Sequence, residues 1–91
     1  MIIPTVGRNL YYKPESMEKA YEHDQPFMCF LCHVQPDGTI NVLVLNEIGS
    51  PGMKEGVTLA QDREPLEGEC YWMPYQVKTA QSQKEKEDAG T

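Results

Sequence analysis

The sequence predicts a small, mainly β domain, folded as a bent antiparallel sheet or a five-stranded barrel like that of Src-homology-3 domains. Short segments of alternating apolar and polar residues recur along the chain. Turn-forming glycine and proline residues separate them at intervals of roughly 8–12 residues, as in small barrels. A length of 91 residues allows one domain at most. The alternative is an open half of a β-sandwich that a second subunit completes.

The first half of the domain is predicted to hold two strands and a loop. Residues 7–13 alternate as a first strand, with Leu10 and Tyr12 on one face. Residues 15–22 are expected to form a short helix or an ordered loop. Residues 27–34 are apolar at almost every position, which predicts a central strand buried on both faces.

The second half is predicted to add three shorter strands. Asp37 and Gly38 stand between two apolar runs and predict a tight hairpin turn. Residues 40–45 are expected to form the return strand. After a Gly-Ser-Pro-Gly turn, residues 56–60 and 70–73 are predicted as the fourth and fifth strands, with a polar loop between them.

Composition divides the chain into a domain and a tail. Residues 78–91 have no apolar anchor and predict a disordered polar tail, with at most a transient helix. Residues 1–77 then form a single β domain. Lysines and acids cancel in the tail, so the net charge of −6 belongs to the domain. An acidic domain without a basic stripe disfavours nucleic acid as a partner, although it could imitate nucleic acid.

Two features predict a cytoplasmic protein that does not enter a membrane. No apolar run approaches the roughly 20 residues that a membrane span needs. The first four residues show no basic region followed by an apolar core, as a signal peptide would. The three cysteines are therefore expected to be reduced thiols.

Residues 29–33 (Cys-Phe-Leu-Cys-His) have the spacing of a haem-attachment motif and could offer ligands to a metal. On a strand, however, Cys29 and Cys32 point to opposite faces, and so do Cys32 and His33. We interpret both cysteines as small buried hydrophobic residues and predict no metal and no cofactor. With no catalytic triad spacing, phosphate loop or paired carboxylates, the protein is predicted not to be an enzyme.

Three motifs resemble those of a family of small proteins from tailed bacteriophages and prophages. They are Pro4-Thr5-Val6-Gly7-Arg8, Gln25-Pro26 and Trp72-Met73-Pro74-Tyr75-Gln76. The resemblance covers residues 2–77 in length and motif order. Family members have aliphatic residues in place of Cys29 and Cys32, which further disfavours a metal. The acidic segment at 15–24 is longer here than in the family, and the resemblance implies no established activity.

The same motifs contain the candidate ligand-binding residues. Because the first and last strands of a small barrel are neighbours, Arg8 is expected to lie beside residues 72–76. Arginine offers a planar fork for phosphate or carboxylate, and aromatic rings stack on bases. The candidates are Arg8, Tyr11, Tyr12, Asn46, Trp72, Tyr75 and Gln76. In the alternative, structural interpretation, Trp72 fills the barrel, Tyr75 caps it and Arg8 pairs with an acid such as Glu69.

Three non-enzymatic functions are open at this point. The first is a phage accessory protein that counters host defence by sequestering a nucleotide-derived immune signal, either a cyclic oligonucleotide or an ADP-ribose derivative. A homo-oligomer would then complete the pocket. The second is a protein–protein interaction module that inhibits a host protein through an acidic or aromatic surface. The third is a minor virion or assembly component.

Overall fold

In the part of the chain that the structure describes, six strands form one bent, nearly closed sheet. The structure, a computed structural model, describes the backbone of residues 1–89 and the side chains of residues 1–81. The strands are β1 (Asn9–Tyr12), β2 (Phe27–Val34), β3 (Ile40–Leu45), β4 (Pro51–Val57), β5 (Leu59–Ala60) and β6 (Cys70–Tyr71). Their order in the sheet is β4-β3-β2-β1-β6-β5. The prediction of a mainly β, barrel-like fold is confirmed, and β2 and β3 have the predicted bounds.

Side chains alternate between the two faces of this sheet. Leu10 and Tyr12 of β1 are buried on the same face, as predicted. We call this the inner face and the opposite side the outer face. The core on the inner face consists of Leu10, Tyr12, Phe27, Cys29, Leu31, Ile40, Val42, Val44, Val57, Cys70 and Trp72.

Strand β2 is central, as predicted, but only its inner face is buried. Met28 on the outer face is 38% exposed, because no second layer of described residues covers it. A bulge between Leu31 and His33 interrupts the alternation, and both Cys32 and His33 are exposed. The prediction that Cys32 is buried is therefore wrong, whereas Cys29 is buried as predicted.

The predicted fourth strand at residues 56–60 is divided between two strands. β4 begins at Pro51, inside the predicted turn, and pairs with β3. Gly56 has a φ of +64°, a left-handed conformation that favours glycine and bends the chain near the end of β4. β5 follows after one residue and pairs in parallel with β6. Because β4 and β5 are the two edges of the sheet, this bend carries the chain from one edge to the other and nearly closes it.

The first loop contains a single turn of 3-10 helix, Ser16–Glu18, which agrees with the prediction of a short helix or ordered loop. The Glu18 carboxylate accepts a hydrogen bond from the Tyr12 hydroxyl at 2.7 Å and lies 3.0 Å from Lys54 Nζ. Burial, together with this carboxylate, raises the pKa of Tyr12 above its usual value. These contacts fasten the loop to β1 and β4.

Helix α1 runs from Pro74 to Ala89, directly after β6. Proline suits the first helical position, where its missing N–H group needs no partner. At this end of the helix, the Gln76 Oε1 atom accepts a hydrogen bond from the Met73 N–H at 2.8 Å. Residues 78–89, predicted as a disordered tail with at most a transient helix, continue α1 in the structure, and residues 90–91 of the predicted tail lie outside the described residues. No helix in the described part of the chain has the length and apolarity to cross a membrane.

Candidate functional site

Strand pairing brings the two ends of the domain together. β1 and β6 are antiparallel neighbours, so the residues before β1 lie beside those after β6. The Gln76 Nε2 atom donates a hydrogen bond to the Asn9 carbonyl oxygen at 3.0 Å and ties α1 to β1. Arg8 therefore lies next to the segment 72–76, as the sequence predicts.

A cleft of about 230 Å³, the Arg8 cleft, lies at this junction. Its lining consists of Ile2, Arg8, Trp72, Tyr75, Gln76, Thr79 and Ala80. Ligand pockets for drug-sized molecules usually measure roughly 300–1,000 Å³. The Arg8 cleft has room for a phosphate group and part of a nucleoside, and a larger ligand would extend beyond it.

Among the side chains that the structure describes, Arg8 is the only charged one that lines this cleft. Its Nε atom donates a hydrogen bond to the Thr5 Oγ1 atom at 3.2 Å, which orients the guanidinium group. Among the described residues, its two Nη atoms have neither a hydrogen-bond acceptor nor an ion-pair partner. The outer fork of the guanidinium is thus free to bind an anion.

The predicted pairing of Arg8 with Glu69 is wrong, because Arg63 occupies that carboxylate. The Arg63 Nη1 and Nη2 atoms donate to the two Glu69 oxygens at 2.7 and 2.8 Å. This bidentate pair, helped by the Leu66 N–H group, lowers the pKa of Glu69 to about 2. No sequence signal distinguished Arg63 from Arg8 as the partner.

The two aromatic residues of the cleft differ in availability. Trp72 is 5% exposed and belongs to the core, as the structural interpretation expects. Its Nε1 atom is buried without a hydrogen-bond partner among the described residues. Tyr75 is 62% exposed, so its ring is open to a stacking partner. Tyr75 is therefore better placed than Trp72 to bind a ligand.

Three of the predicted site residues do not line the Arg8 cleft. Tyr11 packs edge-to-face against Tyr71 on the outer face, with ring centroids 5.6 Å apart. Tyr12 is a core residue. Asn46 lies in the turn after β3, where its Oδ1 atom accepts hydrogen bonds from backbone N–H groups two and four residues further on. Each has a structural role that strand alternation or turn geometry explains.

A larger open groove of about 570 Å³ shares Trp72 with the Arg8 cleft, and the sequence did not indicate it. Its cations are already engaged: Lys13 and Lys19 donate to backbone carbonyl oxygens, and Arg63 pairs with Glu69. Acids line the same groove. These mixed and largely paired charges make it a poorer anion site than the Arg8 cleft.

A histidine–carboxylate pair fastens the first loop to the turn after β3. The His23 Nδ1 atom accepts a hydrogen bond from the Gln25 N–H, so the ring proton lies on Nε2, which is 3.0 Å from Glu47 Oε2. Although burial alone would raise the pKa of Glu47, hydrogen bonds from backbone N–H groups and His23 lower it to about 2. The pair was not predicted, because it joins positions 24 residues apart.

The cysteines lie in two different environments. Cys29 and Cys70 are fully buried on the inner face, with their Sγ atoms 3.5 Å apart, whereas Cys32 is exposed. The contact with Cys70, together with burial, raises the pKa of the Cys29 thiol. The side chains that the structure describes contain no group of three His, Cys, Asp or Glu residues arranged to hold a metal.

We expect Cys32 alone to react quickly with a thiol reagent such as dithionitrobenzoate, because the thiolate must be formed and reachable. One equivalent should react in the native protein and three in denaturant. A Cys32→Ser variant should lose the fast phase and keep its thermal midpoint. Fast reaction of two or more thiols in the native state would contradict the buried placement of Cys29 and Cys70.

The fold and the site define a small, acidic, nearly closed β-sheet domain with a cleft lined by Arg8 at the junction of β1 and α1. No family model matches the chain, and no curated protein or solved structure matches it.

Proposed function

We propose that this protein is a non-enzymatic binder of a small anionic, nucleotide-derived ligand and that the Arg8 cleft is its binding site. One observation carries the proposal. In a chain of net charge −6, no described side chain pairs with the two Nη atoms of Arg8, and no described acid lines its cleft. A phosphate group matches this fork in charge and in geometry.

The side chains around Arg8 indicate which part of the ligand each of them contacts. Arg8 binds a phosphate, and the exposed ring of Tyr75 stacks on a base, an interaction worth about 1–3 kcal/mol per base. The Gln76 side chain is already bonded to Asn9 and Met73, so it holds the cleft in shape. The acids at Glu64 and Glu67 line the larger groove instead, which reduces their repulsion of the ligand.

The resemblance to bacteriophage proteins supports a more specific form of this proposal. A phage protein in the host bacterial cytoplasm would sequester a cyclic oligonucleotide or an ADP-ribose derivative that signals host defence. Such ligands exceed the volume of one Arg8 cleft, so a homo-oligomer would supply the remaining contacts.

The test is a thermal-shift panel of cyclic oligonucleotides, cyclic mononucleotides and ADP-ribose derivatives, followed by titration of the best compound. A ligand at about 100 times its Kd stabilises the fold by roughly 2.7 kcal/mol. Arg8→Ala removes hydrogen bonds to a charged group, worth about 1.5–3 kcal/mol, and should weaken binding about 10- to 150-fold.

Lys78→Ala is the matched control. Lys78 is exposed on α1 next to the cleft but does not line it, so this variant removes the same charge without removing the fork. We expect it to change affinity much less than Arg8→Ala does. A flat panel, or equal losses for the two variants, would refute the proposed site.

The second candidate function is inhibition of a host protein through an acidic surface. The loop between β5 and β6 favours it, because Asp62, Glu64 and Glu67 are exposed there and Leu66 between them is exposed too. A captured basic protein whose affinity falls with added salt, and with Glu64→Gln and Glu67→Gln, would support this candidate. Finding the protein in purified phage particles would instead support the third candidate function, a minor virion or assembly component.

A further inference from the structure

A small cavity, the Glu47 cavity, lies where the first loop meets the start of β2 and the end of β3. Its volume is about 140 Å³, whereas pockets for drug-sized molecules measure roughly 300–1,000 Å³. The cavity therefore fits one functional group on a short chain, not a whole nucleotide. Its lining combines loop, strand and turn residues, among them Tyr21, Gln25, Phe27, Met28, Leu45 and Glu47.

Glu47 is the only Asp, Glu, Lys or Arg among the described residues that line this cavity. Its side chain is 5% exposed. The Oε2 atom accepts a hydrogen bond from the Ala20 N–H at 2.7 Å and lies 3.0 Å from His23 Nε2. The Oε1 atom is buried and has no hydrogen-bond partner among the described residues. A buried polar atom without a partner costs free energy, so Oε1 favours a ligand that brings a hydrogen-bond donor.

The charge of this carboxylate is not cancelled by its neighbours. Hydrogen bonds from backbone N–H groups and His23 lower the pKa of Glu47 to about 2, so the group is ionised at neutral pH. The His23 ring is neutral, because its Nδ1 atom accepts the Gln25 N–H and its one ring proton is on Nε2. The cavity therefore holds one negative charge and one unused acceptor.

The remaining lining selects the kind of donor. Phe27, Met28 and Leu45 supply apolar surface, which suits the stem of an aliphatic group. Tyr21 is 61% exposed, so its ring can turn to admit a ligand and lie over a cation. An anion would be repelled by Glu47, and a neutral ligand would leave the charge unpaired. A positive group with N–H donors on a short alkyl chain satisfies both the charge and the apolar lining.

We propose that the Glu47 cavity binds an alkylammonium or alkylguanidinium group, with its N–H groups donating to Glu47 Oε1 and its stem against Met28 and Leu45. The net charge of −6 favours the approach of such a cation. This site shares no lining residue with the Arg8 cleft and does not depend on the proposed ligand there.

The test is a titration of the ¹⁵N-labelled full chain with n-butylammonium and with n-butylguanidinium, followed by nuclear magnetic resonance at constant ionic strength. We expect saturable shifts of the Ala20, Tyr21 and Glu47 amide resonances, with a Kd of about 1–10 mM for so small a ligand. Neutral 1-butanol has the same chain without the charge and should not saturate. Absence of saturable shifts with both cations, or equal shifts with butanol, would overturn the proposal.

Glu47→Gln removes the charge and should raise the Kd at least about tenfold. Glu22→Gln is the matched control, because Glu22 is exposed in the same loop and does not line the cavity. Tyr21→Ala changes an exposed side chain and so keeps the fold even if Glu47→Gln does not. It should raise the Kd about two- to fivefold. Equal effects of Glu47→Gln and Glu22→Gln, or an unchanged Kd in Tyr21→Ala, would contradict the site.

A third probe distinguishes the two natural sources of such a group. Nα-acetyl-lysine amide carries the same alkylammonium on a peptide backbone. Tighter binding than that of n-butylammonium would identify a basic side chain of a partner protein as the occupant, and weaker binding would identify a free amine.

Discussion

Replacing Trp72 with alanine is expected to lower the free energy of unfolding by about 3–5 kcal/mol, the usual cost of removing a buried aromatic side chain. Trp72 is 5% exposed and packs in the core on the inner face. For a domain of this size, each kcal/mol shifts Tm by roughly 4–8 °C, so Tm should fall by more than about 12 °C. Thermal unfolding followed by far-ultraviolet circular dichroism measures the change without relying on the single tryptophan.

Two variants control this result. Tyr75→Ala, at a position that is 62% exposed, should stay within about 0.5 kcal/mol of the wild type. Trp72→Phe should cost less than Trp72→Ala, since the indole N–H has no hydrogen bond with the described residues to lose. If Trp72→Ala kept the wild-type Tm, the side chain would not be a core residue and would be available for stacking on a ligand.

Acidification below about pH 4.5 is expected to destabilise the fold progressively down to about pH 2. The pKa values of Glu47 and Glu69 fall from 4.5 to about 2 in the folded chain. A lowered pKa means that the ionised carboxylate stabilises the folded state above pH 4.5 and that this contribution disappears as both groups are protonated. The Tm should therefore fall as the pH is lowered across this range.

The Glu69→Gln variant distinguishes the loss of stability caused by protonating this carboxylate from general acid denaturation. The variant removes the charge that pairs with Arg63, so it should be less stable than the wild type at pH 7 and lose less on acidification. The Glu47→Gln variant should behave in the same way, because Glu47 pairs with His23. A wild-type Tm that is constant between pH 5 and pH 2 would contradict the lowered pKa values of both carboxyl groups.

Local patterns in the sequence were sufficient to predict the strands that hold the core. The apolar run at 27–34 and the return strand at 40–45 have the predicted bounds. The hairpin turn between them has Gly38 at a φ of +91°, as an Asp-Gly pair indicates. Leu10 and Tyr12 are two residues apart on a strand, which predicts that they share one face, and both lie in the core. These features depend on strand period and on turn residues next to each other in the chain.

Strand neighbours also predicted which segments meet. If β1 and the last strand are adjacent, Arg8 must lie near Trp72 and Tyr75, as it does. The bulge that leaves His33 exposed beside Cys32 and the bend that divides β4 from β5 were not predicted. Each is a local irregularity of the backbone that leaves the order of apolar and polar residues unchanged. The periodicity of the sequence therefore does not reveal either of them.

By itself, then, the sequence determined the fold class, the inner face and the meeting of the two ends of the domain. The tertiary structure alone decided which polar groups are paired: Glu69 with Arg63, Glu47 with His23, and the two Nη atoms of Arg8 with none of the described residues. It also brought Cys29 against Cys70 from 41 positions away. The His23–Glu47 and Cys29–Cys70 contacts depend on how distant segments pack, and the Arg63–Glu69 pair, six residues apart, depends on the path of one loop. No local periodicity in the chain encodes any of them.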